Sequence, residues 1–125
     1  MEYKRQESFR HTFHEPVPAL YRLVSSDGIA QEDTACVMMD MSPSGVRVYS
    51  KFDIYMVPGM EVPIEVEVVL TNQPIKMSGR VIWKRAHFDG KQYGISIDAD
   101  EQEQQHIIDE LKERRKIEMF QWRSR

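Results

Sequence analysis

The residues best suited to do chemistry fall in two short stretches. The later one, Asp40-Met41-Ser42-Pro43-Ser44-Gly45, lies between two β-like runs, Ala35 to Met39 and Val46 to Tyr49. It reads as a polar corner joining two strands. Asp40 offers a carboxylate acceptor, Ser42 a hydroxyl, and Gly45 leaves the backbone bare for something flat to approach. Such a corner can seat a purine edge, although Asp, Ser, Pro and Gly also build ordinary turns. The earlier stretch interleaves Lys4, Arg5 and Arg10 with Tyr3, Phe9 and Phe13. Cations beside aromatics grip phosphates and stack on bases. A solvated terminus can carry the same composition.

Composition narrows the classes. The chain has 125 residues, 41% hydrophobic and 30% charged. That suits one globular domain with its own core. A formal charge of −3 argues against nucleic acid and against a membrane surface. Cys36 stands alone inside an apolar run, so no disulfide framework forms within the chain and a buried thiol is expected. The first fifteen residues are polar and of mixed charge, unlike a signal peptide, and no apolar run reaches membrane-spanning length. The expected location is cytoplasmic. His11, His14, His87 and His106 lack metal-site spacing with one another or with Cys36. No phosphate loop or dinucleotide fingerprint occurs, and no nucleophile elbow surrounds Ser42 or Ser44. Neither a catalytic role, a metal nor a cofactor is expected.

The elements that must position these residues are mostly strands. Val17, Ala19, Tyr21 and Leu23 alternate over 16–25. A second strand runs from Thr34 to Met41, with Ala35, Val37, Met39 and Met41 on one side and Cys36 and Met38 on the other. A third carries Val46 and Val48 on one face. The clearest alternation is at 61–70: Val62, Ile64, Val66, Val68 and Leu70 face one way, Glu61, Pro63, Glu65 and Glu67 the other. Ile75, Met77, Val81 and Trp83 are expected to point inward from the next strand. Glu65 and Glu67 face Arg80 or Lys76 across it, and Gly79 marks a bulge or a bend where the barrel closes. Phe88-Asp89-Gly90-Lys91 is a hairpin signal, and Tyr93, Ile95 and Ile97 line the last strand. The period then changes. Asp100 and Glu103 form a capping box, and Ile107, Ile108 and Leu111 an apolar stripe. Ile117, Met119, Phe120 and Trp122 are expected to pack on the domain, with a partner site as the alternative. The fold class is mainly β: a small antiparallel barrel of six or seven strands with a C-terminal helix. The chain divides into a flexible arginine-bearing segment at 1–15, the barrel at 16–98, and the helix with a basic tail at 99–125.

Four pieces in this order resemble a PilZ domain: Lys4-Arg5-Gln6-Glu7-Ser8-Phe9-Arg10, then Asp40-Met41-Ser42-Pro43-Ser44-Gly45, Gly79-Arg80-Val81-Ile82-Trp83, and Gln92-Tyr93-Gly94-Ile95. They look like the family's arginine motif, its [D/N]-x-S-x-x-G corner, its G-x-V-x-W strand and its Y-G-I strand. The resemblance runs from about Tyr3 to Leu111. It implies a receptor for cyclic di-GMP with Arg5, Gln6, Arg10, Asp40, Ser42 and Gly45 at the ligand. Gln6 stands where the family's R-R-x-x-x-R pattern has its second arginine. A glutamine donates hydrogen bonds but brings no charge.

By this resemblance Arg10 makes guanine-edge and phosphate contacts, and Arg5 stacks or holds phosphate. Asp40 accepts from guanine N1–H and N2–H, Ser42 donates to phosphate or holds the loop, and Gly45 admits the ring. The arginine segment would fold over the barrel on binding and reshape a surface read by a protein effector. Two other readings stay open. One is a PilZ-like adaptor that works by protein contacts without the nucleotide, as Gln6 would favour. The other is a nucleic-acid-binding barrel using Arg114 to Lys116 and the aromatic tail, which the acidity opposes. The chain is expected to be a monomer or a homodimer, with no DNA or RNA partner and no membrane insertion.

Overall fold

The computed structural model describes residues 9–123. Six antiparallel strands close into a barrel in the order β1-β2-β3-β6-β5-β4. They are β1 (His11–Leu23), β2 (Thr34–Ser42), β3 (Gly45–Ser50), β4 (Val62–Val69), β5 (Pro74–His87) and β6 (Gly90–Ile97), followed by one helix, α1 (Glu101–Arg123). β1 also pairs with β4, which leaves neither with an open edge. The closure carries Arg22, opposite Glu65 in the register, and its guanidinium bonds Asp33, Glu65 and Glu67. Arg22 is therefore the main cation for the β4 glutamates, in place of the expected Arg80 or Lys76; Arg80 turns to Glu61 and Asp98.

The core follows the alternation on β4, where Val62, Ile64, Val66 and Val68 are all buried. Bulges decide the rest. On β2, Met38 pairs with Val48 and Asp40 with Arg47, so Met39 is an extra residue. One extra residue inverts the side-chain parity of everything after it. Cys36, Met38 and Met41 therefore form the inner set, and Ala35, Val37 and Met39 do not join Met41 on one face. β5 behaves alike: Val81 pairs with Ile95 and Trp83 with Gly94, leaving Ile82 extra. Trp83 is thereby turned outward, 36% exposed, rather than into the core. The bulge lies at Ile82 and not at Gly79. Gly79 serves a different need, because a Cβ there would sit 2.0 Å from the Ser96 carbonyl oxygen.

β1 begins at His11, ahead of the alternation that starts near Pro16. The register with β2 shifts over 13–16, from Thr12 opposite Asp40 to Val17 opposite Met38. That irregularity hides the strand's first residues from a period-two reading. The flexible segment expected over 1–15 falls partly on residues 1–8, which lie outside the described residues.

α1 opens on the expected capping box. The Glu103 amide donates to Asp100 Oδ1 at 2.8 Å and the Asp100 amide to Glu103 Oε1 at 3.0 Å. Ile107 and Leu111 join the barrel's apolar cluster. The seam continues through Arg114 to Glu118 at helical spacing. Met119, Phe120 and Trp122 fall off that seam and stay at least half exposed, unlike the expected packing.

Candidate functional site

The polar corner and the residue before β1 meet on the barrel's outer face. Asp40 points outward because the Met39 bulge sends Met41 inward in its place. Directly paired residues on antiparallel strands share a face. The register therefore sets Thr12, Asp40, Arg47, Gly94 and Trp83 in one row across β1, β2, β3, β6 and β5. Arg10, just ahead of β1, reaches into this row. A groove of about 400 Å³ lies along it, lined by Arg10, Asp40, Gly45, Arg47 and Trp83 with the β6 backbone around Gly94.

Two guanidiniums share one carboxylate. Arg10 Nη1 donates to Asp40 Oδ1, and Arg47 Nε and Nη2 each lie 2.7 Å from Asp40 Oδ2. Asp40 is covered to 7% side-chain exposure, while Arg10 keeps 45% and Arg47 32%. Two positive charges against one negative leave the groove cationic, and both cations remain open to water. Each guanidinium has donors left over for a planar acceptor or a phosphate.

Ser42 holds the corner. Its hydroxyl donates to the Gly45 carbonyl at 3.3 Å and accepts from the Ser44 amide at 3.3 Å. Arg10 Nη2 also reaches Ser42 Oγ at 3.4 Å. Gly45 lies close beneath the arginine: a Cβ there would be 3.7 Å from Arg10 Nη2 and 3.2 Å from the Ile95 carbonyl oxygen. At the far end the Trp83 indole lies across Gly94, where a Cβ would be 2.0 Å from Nε1. The Arg85 guanidinium stands 5.3 Å from the Trp83 ring centre.

Of the six expected site residues, Arg10, Asp40, Ser42 and Gly45 come together here. Arg5 and Gln6 lie outside the described residues. Arg47 and the outward Trp83 are additions. Arg47 was legible in part, since a strand with Val46 and Val48 inward must send Arg47 outward. Trp83 was not, because the Ile82 bulge reverses its parity. Among the described residues, no group of three or more His, Cys, Asp or Glu side chains is arranged to hold a metal ion. No helix among them is long and apolar enough to cross a membrane.

A family model for the PilZ domain matches residues 4–113. The chain belongs to the PilZ domain family, a family of binding and adaptor domains of the cyclic di-GMP type. A solved structure, the PilZ domain of CeSA from a cellulose-synthesizing bacterium, is similar at 20% identity with a TM-score of 0.55. The match covers 81% of this chain and 93% of that one, and it shows the shared barrel fold. Comparison with curated proteins finds no match.

Proposed function

We propose that this domain is a cyclic di-GMP receptor that relays the level of the second messenger to a protein effector. The observation that carries the reading is the convergence of Arg10 and Arg47 on Asp40 beside a groove of about 400 Å³. The ligand has two phosphate charges and two guanines, and the groove offers cations, an acceptor and a flat wall. Arg10 presents parallel donors to the O6/N7 edge of guanine or to phosphate oxygens. Asp40 accepts from guanine N1–H and N2–H, or keeps both arginines extended toward the ligand. Ser42 holds the corner through Gly45 and Ser44. Gly45 keeps the approach beside Arg10 free of a side chain. Arg5 and Gln6 are assigned to the ligand by the motif alone. The protein is read as cytoplasmic and non-enzymatic, and its output as motility, adhesion or exopolysaccharide.

The test is calorimetric titration with cyclic di-GMP. Each charge-assisted hydrogen bond contributes about 1.5–3 kcal/mol. Arg10→Ala is thus expected to weaken binding by about tenfold to more than a hundredfold. No heat of binding with the unaltered chain would overturn the receptor reading. It would leave a PilZ adaptor that works through protein contacts, the reading that Gln6 favours.

A further inference from the structure

Away from the groove, one carboxylate is buried to 9% side-chain exposure and has no role in the binding scheme: Glu118, on the last part of α1. Its Oε1 accepts from the His14 backbone amide at 3.2 Å and lies 2.9 Å from His11 Nε2. Its Oε2 accepts from Arg114 Nε at 2.9 Å, and Arg114 Nη1 donates to the Leu70 carbonyl at 3.2 Å. Glu118 thus joins the helix to the start of β1, and through Arg114 to the residue after β4.

The start of β1 needs such a tie. Only two ladder pairs, His11 with Met41 and Thr12 with Asp40, precede the break in the β2 register that ends at Val17. The His14 amide falls in that break, and Glu118 supplies it with a side-chain acceptor. Arg10 stands one residue outside the strand, so its backbone is placed by His11. A short pair of rungs followed by a register break opens more readily than a continuous ladder, so Phe13 in the core and Glu118 on the helix together hold it.

We propose that Glu118 is a positioning residue for the groove. Through His11 and the His14 amide it fixes the entrance of β1, and with it the reach of Arg10 toward Asp40. The carboxylate itself touches no ligand. The inference rests on the receptor reading for what the groove binds, but its structural half stands apart from it.

The experiment compares the full chain with Glu118→Ala and Glu118→Gln. Amide hydrogen exchange of the ligand-free proteins is read residue by residue by NMR. In Glu118→Ala, exchange at residues 11–14 is expected to quicken by about tenfold or more, while amides of β3 and β6 stay within about twofold. Glu118→Gln keeps an oxygen for the His14 amide and should return that amide to within about threefold of the original rate. Unchanged rates at 11–14 in Glu118→Ala would overturn the proposal, as would an equal rise across the whole barrel. In a second arm, cyclic di-GMP is titrated into all three. Binding should weaken by about fivefold or more in Glu118→Ala, with Glu118→Gln recovering most of the loss; equal affinities would also overturn it. If the unaltered chain binds no cyclic di-GMP, the receptor reading fails, and the exchange arm still decides whether Glu118 holds Arg10's strand.

Discussion

The contact between Trp83 and Gly94 yields the sharpest quantitative test, because it fixes a sign as well as a size. Gly94 lies in β6 and pairs with Trp83 in β5. A Cβ on residue 94 would meet Trp83 Nε1 at 2.0 Å, Cε2 at 2.1 Å and Cδ1 at 2.6 Å. A rigid indole cannot flex out of such overlap at one end, so the whole ring must move. Overpacking of this kind costs about 1–3 kcal/mol. With a urea dependence of about 2 kcal/mol per molar, Gly94→Ala should lower the unfolding midpoint by about 0.5–1.5 M. The backbone raises no objection of its own, since positive φ among the glycines is confined to Gly28 and Gly59. Where the conformation is compatible, Gly→Ala stabilises by about 0.4–1 kcal/mol through the unfolded chain. In a Trp83→Ala background the three nearest obstacles vanish together. The same Gly94→Ala change should then be neutral or stabilising. The double-mutant cycle, followed by urea unfolding, should give a coupling energy of about 1–3 kcal/mol. Additivity within about 0.5 kcal/mol would refute the argument that Gly94 is kept bare to bed the indole.

Three further outcomes are expected. Arg47→Ala should weaken cyclic di-GMP binding by about tenfold or more, since one charge-assisted donor set is lost, and Arg47→Lys should recover little because an ammonium lacks the planar fork; an unchanged dissociation constant would remove Arg47 from the site. Burial pushes the Glu118 carboxyl up, but hydrogen bonds from Arg114 and the His14 amide, with His11 beside them, outweigh it and leave the group below its ordinary 4.5. A depressed carboxyl contributes stability that is full above 4.5 and is lost as pH falls through the folded value. The advantage of the natural chain over Glu118→Gln in urea unfolding should therefore shrink from about pH 6 to about pH 3, and an advantage constant over that range would contradict the sign. Burial also pushes the Cys36 thiol up to about 12, so alkylation by iodoacetamide near pH 8 should be limited by unfolding; labelling as fast as that of free cysteine would show the thiol to be accessible.

The amino-acid sequence alone determined whatever is encoded within a few neighbouring residues. Alternation from Val62 to Val68 is a property of one strand, and it set the inner face of β4 without help. The Asp100–Glu103 box is complete within four residues, and it appears in the fold as expected. The corner from Asp40 to Gly45 is likewise local, and together with the three other motif pieces it was enough to indicate the family. Tertiary structure alone decided where parity breaks. An extra residue at Met39 or Ile82 has no mark of its own in sequence, because a bulge is a relation between two strands. Those two bulges turn Asp40 and Trp83 onto one outer face. Only the paired register then shows that Arg47 completes the row. Glu118 was beyond sequence reasoning for a similar reason. It lies 107 residues from His11 and 104 from His14, and a helix pattern read by itself shows a solvated glutamate there. What makes it an anchor is the His14 amide, in a strand at the other end of the chain that became its neighbour only when the barrel closed.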